Sequence, residues 1–173
     1  MGMYMNLNDS KKYKTGDILY YLGKPYRIVR KPSLSARKGY VAMVGQEILI
    51  YGKYEDTEEI RTVLSKWYQE KAAVWIPKRI ASFEKKIGVK CTKLTLRNTK
   101  TRWGSCSSER HVMINWKLIM APEGVLDYVV CHELCHILQM NHSKEFWALV
   151  GLYMPDWKEK KEWLKENGLT LEV

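Results

Sequence analysis

The chain is poor in the residues that staple or anchor a protein. Its 173 residues hold four cysteines, with no C-x-x-C spacing and no disulfide framework, so nothing calls for an oxidising compartment. No apolar run approaches the roughly eighteen residues of a membrane span. Met1 to Lys14 is polar and lacks the hydrophobic stretch of a signal peptide, so a cytoplasmic protein is expected. No internal repeat and no low-complexity linker is present. With 46% apolar residues the chain can still bury a core without staples, and one compact unit with a peripheral subregion is expected.

Acid is scarce as well. Against 29 Lys+Arg stand 19 Asp+Glu, a net charge of +10. The deficit is uneven, because residues 1 to 120 carry +14 and residues 121 to 173 carry −4. The basic part fits nucleic acid, and around Tyr20, Tyr21, Lys24, Tyr26, Arg27 and Arg30 it mixes aromatics with cations as single-strand binders do. It equally fits half-buried strands with solvated basic faces, and charge alone does not choose between these.

Histidine is rare but concentrated. Three of the four lie within Val130-Cys-His-Glu-Leu-Cys-His-Ile-Leu-Gln-Met-Asn-His142. Residues four apart on a helix are offset by only about 40°, so His132 and His136 point the same way and can share one Zn²⁺. Glu133, about 60° round from His136, stays outside the metal's ligands yet within reach of a water, where a general base belongs. A catalytic zinc usually keeps three protein ligands. His142 is the candidate third, provided the helix stops first. Met140-Asn141 is expected to end it with Asn141 left-handed, and Ser143 to cap a second helix. Glu145 is the fallback ligand. Cys131 and Cys135 lie on the flank opposite Glu133 and read as small buried hydrophobes, while His111 is remote from the motif.

Around this motif the periodicity alternates between strand and helix. Residues 1–15 read as a tail and 16–55 as an antiparallel β subregion of two hairpins, Ile18 to Tyr21 with Tyr26 to Arg30, and Tyr40 to Val44 with Glu47 to Ile50. Pro32 to Gly39 would join them as a basic loop. Residues 56–173 read as the main domain. A helix from Asp56 or Thr57 to Ile87 carries Ile60, Val63, Leu64, Trp67 and Val74 on one side, with Pro77 kinking or dividing it and Gly88 closing it. Lys93 to Arg97, Thr101 to Cys106 and Val112 to Trp116 read as a small sheet. The metal helix follows, with Pro122 at its first position. Arg102, Trp103, Gly104 and Ser105 are the candidate substrate-binding edge, since peptidases hold extended substrates by strand addition and Gly104 would permit close approach. Equally, Trp103 could fill core and Arg102 face solvent.

Thr101-Arg-Trp-Gly-Ser-Cys-Ser107, Ile114-Asn-Trp-Lys-Leu118, Ala121-Pro122, Leu126-Asp-Tyr-Val129, His132-Glu-Leu-Cys-His136 and Asn141-His-Ser-Lys-Glu-Phe-Trp147 together resemble, in order, the YgjP-like zinc metallopeptidases. That family is related in its motif to SprT-like proteases. The resemblance covers residues 15 to 165, strongly after Thr101. It implies an α+β, zincin-like domain, one Zn²⁺ per chain on His132, His136 and His142, and Glu133 as catalytic acid/base. Gln139 stands where metzincins have Gly, so their turn geometry is not implied.

The expected reaction is hydrolysis of a peptide bond by a metal-bound water that Glu133 deprotonates, with the proton passed to the leaving amine. Arg102, Asn115, Asn141 and Tyr128 are the candidates for an oxyanion donor. Three other readings use the same residues. One is a zinc-dependent ribonuclease, since a bacterial RNA-processing family shares the three-histidine spacing but lacks Glu after the first His. Another is a DNA-associated, SprT-like protease. The third is a non-catalytic zinc-stabilised binding module.

Overall fold

The computed structural model describes residues 13–32 and 39–173. Most of the expected tail, and the centre of the Pro32 to Gly39 loop, lie outside them. Two compact units emerge. One takes the described residues of Met1–Tyr20 and Pro25–Trp67 with Glu172–Val173, the other Tyr21–Lys24 and Tyr68–Leu171.

The first unit is built on a four-stranded sheet of β1 (Ile18–Tyr21), β2 (Lys24–Lys31), β3 (Tyr40–Val44) and β4 (Glu47–Tyr51), in the order β1-β2-β4-β3. The sheet is mixed rather than wholly antiparallel. Strands β3 and β4 form the expected antiparallel hairpin, but β4 runs parallel to β2, with Ile28 beside Ile48. Ile48, Leu49 and Ile50 are all buried, and such a continuous apolar run suits a central strand covered on both faces.

Helix α1 spans Thr57–Ile87 as one element with Pro77 inside it. Pro77 does not divide it. Ile60, Leu64, Tyr68, Ala72, Ile76, Ile80, Phe83 and Ile87 are buried at steps of three or four, as a single apolar stripe demands. Val74, expected on that stripe, is 60% exposed, because it lies about half a turn from both Ala72 and Ile76. Gly88, with φ +79°, closes the helix by donating to the Glu84 carbonyl at 2.9 Å.

The second unit, α+β like the whole, holds a three-stranded sheet. Strands β5 (Lys93–Arg97), β6 (Gly104–Cys106) and β7 (His111–Asn115) lie in the order β5-β7-β6. Strand β7 is parallel to β5 and antiparallel to β6. Strand β6 is shorter than the expected Thr101 to Cys106. The Arg102 carbonyl is taken by the Thr99 hydroxyl at 2.6 Å and the Asn115 side-chain amide at 3.3 Å, so it is spent on a loop instead of a ladder.

Helices α2 (Glu123–Cys135), α3 (Lys144–Tyr153) and α4 (Trp157–Asn167) complete the unit, with α2 packed against β6, β7, α3 and α4. Pro122 sits one residue before α2 with extended ψ, not inside its first turn. The Leu22-Gly23 turn buttresses that start: Leu22 and Gly23 donate to the Ile119 and Met120 carbonyls at 2.7 and 3.1 Å. A Cβ on Gly23 would stand 2.7 Å from Pro122 Cα. Arg79 of α1 grips Asp127 of α2 through two bonds of 2.7 and 2.8 Å. No helix among the described residues is long and apolar enough to cross a membrane.

The Arg79 clamp fixes α2 against α1. Asp127→Asn should lower stability in urea unfolding by about 1–2 kcal/mol, since the pair is charge-assisted but partly exposed. An unchanged midpoint would mean that the clamp contributes nothing.

Candidate metal centre and active site

Helix α2 ends at Cys135, about one and a half turns earlier than Met140-Asn141. His136 keeps helical dihedrals as the residue that closes it, so its ring stays in phase with His132. Leu138 and Gln139 both donate to the Cys135 carbonyl at 3.0 Å. Asn141 is not among the residues with positive φ. At this stop the His136 ring Nδ1 donates to the Gln139 carbonyl at 3.0 Å, tying the ring to the turn that follows the helix. Ser143 then caps α3, its Oγ accepting from Phe146 N at 3.3 Å, as expected of that residue.

His142 lies in the reversal between α2 and α3. The three Nε2 atoms form a near-equilateral triangle, with sides of 3.1 Å from His132 to His142, 3.2 Å from His132 to His136 and 3.0 Å from His136 to His142. Two ligands of a tetrahedral zinc, each at about 2.0–2.1 Å, stand about 3.3 Å apart. The triangle fits such an ion. With Nδ1 of His136 carrying the proton, its Nε2 offers a lone pair. Burial, then the neighbouring His136, His142 and Lys161, push the His132 pKa down to about 3, so this ring is neutral and ligand-ready near pH 7. Burial also lowers that of His136. Among the described residues these three are the one group of His, Cys, Asp or Glu arranged to hold an ion. Glu145 is outside it, as are Cys131 and Cys135, which are fully buried with their Sγ atoms 4.0 Å apart.

Aromatic side chains seat the imidazoles. Phe146 is fully buried and stacks on His136 at 4.3 Å, with its ring edge-on to His132 at 5.0 Å and His142 at 5.1 Å. Trp147 stacks on His142 at 5.8 Å. Tyr128, one turn before His132, brings its hydroxyl to 3.5 Å from His132 Nδ1. Sequence reasoning missed this role for Phe146 and Trp147. The available signal was their position just after His142, where a capped helix must turn its first face back toward the ligands.

Glu133 is 6% exposed. Burial raises its carboxyl to about 8, opposed by the charge of Arg102. The same burial, with Glu133 nearby, pushes the Tyr128 phenol up to about 12, keeping it protonated. Gly104 on β6 faces Glu133: a Cβ there would stand 2.8 Å from Glu133 Cγ and 3.0 Å from Oε1. Arg102, Trp103 and Gly104 line one cleft with Tyr128, His132 and Glu133. Ser105 does not join them, because alternation along the strand turns it to the other sheet face. Trp103 is half-buried, and its indole would lie 2.9 Å from a Cβ at Gly168, so it fills space as well as lining the cleft. Asn115 is fully engaged, donating to the Thr99 and Arg102 carbonyls and accepting from Lys117 N, which leaves it no free donor for an oxyanion. Asn141 is exposed and absent from the cleft, and His111 lies on the outer sheet face.

A helix and a following turn converge three imidazoles beside a buried carboxylate, a set able to hold a metal ion, and comparison with known proteins places the chain among the metallopeptidases. The sequence matches the YgjP-like metallopeptidase domain over residues 3–167, and the chain belongs to that family. Two solved structures are similar in part. The metallopeptidase zymogen abylysin of Pyrococcus abyssi is 20% identical, covering 50% of this chain and 89% of its own, with a TM-score of 0.47. The zymogen jannalysin of Methanocaldococcus jannaschii is 18% identical, covering 53% and 94%, also with a TM-score of 0.47. No curated protein matches the chain.

The Gly104 contact gives a direct prediction. Gly104→Ala should cut peptide hydrolysis by about 10²-fold, because the added Cβ would displace the Glu133 carboxyl. Wild-type turnover in this variant would show that Glu133 does not depend on the close approach.

Proposed function

We propose that the protein is a zinc-dependent peptidase of the H-E-x-x-H type, with His132, His136 and His142 holding one ion per chain and Glu133 as general acid/base. The observation that carries this reading is a buried carboxylate on the helical turn of His132 and His136, beside the point where those rings meet His142, and given its space by Gly104 of an edge strand. When bound, zinc supplies Lewis acidity toward a carbonyl and lowers the pKa of water to about 7. Glu133 takes a proton from the attacking water at a carboxylate oxygen and returns it to the leaving amine. Arg102 opposes the effect of burial on Glu133 and so favours its proton-accepting form.

Strand β6 ends the sheet order, pairing with β7 on one side. Its second edge can receive an extended substrate by backbone hydrogen bonds, which align a carbonyl whatever its side chains. Arg102, Trp103 and Gly104 would then flank the scissile bond. Tyr128, protonated and lining the cleft, is the group best suited to donate to a developing oxyanion.

Glu133→Gln should keep about one zinc per chain by metal analysis while lowering peptide hydrolysis by 10²-fold or more, roughly the contribution of general acid/base catalysis. A Gln variant as active as wild type would contradict the mechanism. His142→Ala should lose most bound zinc in the same assay, and full retention would move the third ligand elsewhere.

A further inference from the structure

The second sheet has an outer face that the metal centre does not use. Alternation along β5 puts Lys93, Thr95 and Arg97 on one side, in register with His111, Met113 and Asn115 of β7, and Ser105 of β6 pairs with Met113. Lys93, Thr95, Arg97, Arg102, Ser105 and His111 line an open groove of about 690 Å³, room for several residues of a ligand. No carboxylate lines it. Between Lys93 and Met113 the chain carries five cations and one acid, Glu109.

The groove and the cleft at Glu133 share one lining residue, Arg102. On the cleft side Lys161 and Lys165 add to it, and Glu133 is the sole carboxylate there. Lys161 is held in position, its Nζ 4.7 Å from the Trp147 ring and 5.9 Å from that of Trp157, two indoles stacked at 4.3 Å. A cation fixed beside metal ligands works against the ion they hold. It is compensated when an anion occupies the cleft.

We infer that groove and cleft form one cationic track that takes the acidic flank of a polypeptide substrate, with Lys93, Arg97, Arg102 and Lys161 as its specificity-determining residues. The inference rests on the peptidase reading for the position of the scissile bond. Guanidinium forks and neighbouring hydroxyls suit Asp and Glu carboxylates. Single-stranded nucleic acid would need aromatic platforms for successive bases; the groove lining has no Phe, Tyr or Trp, and Trp103 and Tyr128 stand in the cleft alone.

The test uses the zinc-loaded full chain and two fluorescent peptides that share a neutral central segment. One carries a run of Asp and Glu on one side, the other Asn and Gln at the same positions. Binding is read by anisotropy with the Glu133→Gln variant. The acidic peptide should bind at least about tenfold more tightly at about 0.05 M salt, and less than about twofold at 0.5 M, where screening shortens to a few ångströms. Lys93→Glu combined with Arg97→Glu should bring the ratio of affinities close to one. Equal binding of the two peptides, a preference untouched by salt or by the double substitution, or displacement of the peptide by a lower concentration of single-stranded oligonucleotide would overturn the track. Cleavage by the wild type separates the two ideas. Preferential binding with neither peptide cut would keep the track and remove the peptidase reading, while equal kcat/KM on both would keep the reading and remove the track.

Discussion

Three imidazole nitrogens stand 3.0 to 3.2 Å apart, close enough that a single cation among them can take a lone pair from each. Much of the surrounding structure serves to hold that triangle. The His136 bond to the Gln139 carbonyl sets one ring against the turn after α2. The Ser143 cap starts α3 at the point where Phe146 is carried under all three rings. Farther back, the Leu22-Gly23 turn fixes the start of α2 and the Arg79 clamp its middle. A ligand set is only as exact as the groups that support it.

The second constraint is electrostatic. Glu133 is buried with Arg102 as its opposing charge, and Gly104 is the small residue that lets a strand approach it. Both come from one short segment, so the setting of the Glu133 carboxyl and the candidate substrate edge are built together. This accounts for an otherwise costly burial, since a carboxylate sealed in apolar surroundings is tolerable only where a cation or a proton compensates it.

What was legible in the sequence was local. The four-residue spacing of His132 and His136, the Ser143 cap, the closure at Gly88 and the separation of the small sheet into three strands all follow from short-range periodicity and capping chemistry. What was not legible depends on partners distant in the chain. The end of α2 was expected at Asn141 because Asn tolerates left-handed backbone, yet the helix ends at Cys135 and a ring-to-carbonyl bond from His136 ties down the turn that follows. Strand β6 is short because Asn115, many residues away, captures the Arg102 carbonyl. The parallel pairing of β2 with β4 joins two hairpins that each looked self-sufficient. Ser105 belongs to the outer groove rather than the cleft, as strand alternation requires of the residue next to Gly104 wherever the strand begins.

The central claim is that the triangle of His132, His136 and His142 holds zinc. X-ray absorption at the zinc edge of the loaded protein tests it most directly. The account predicts a first shell of nitrogen and oxygen at about 2.0–2.1 Å with the multiple scattering of three imidazoles. Sulfur scattering at about 2.3 Å, the signature of a thiolate such as Cys131 or Cys135, or the scattering of only two imidazoles, would contradict it.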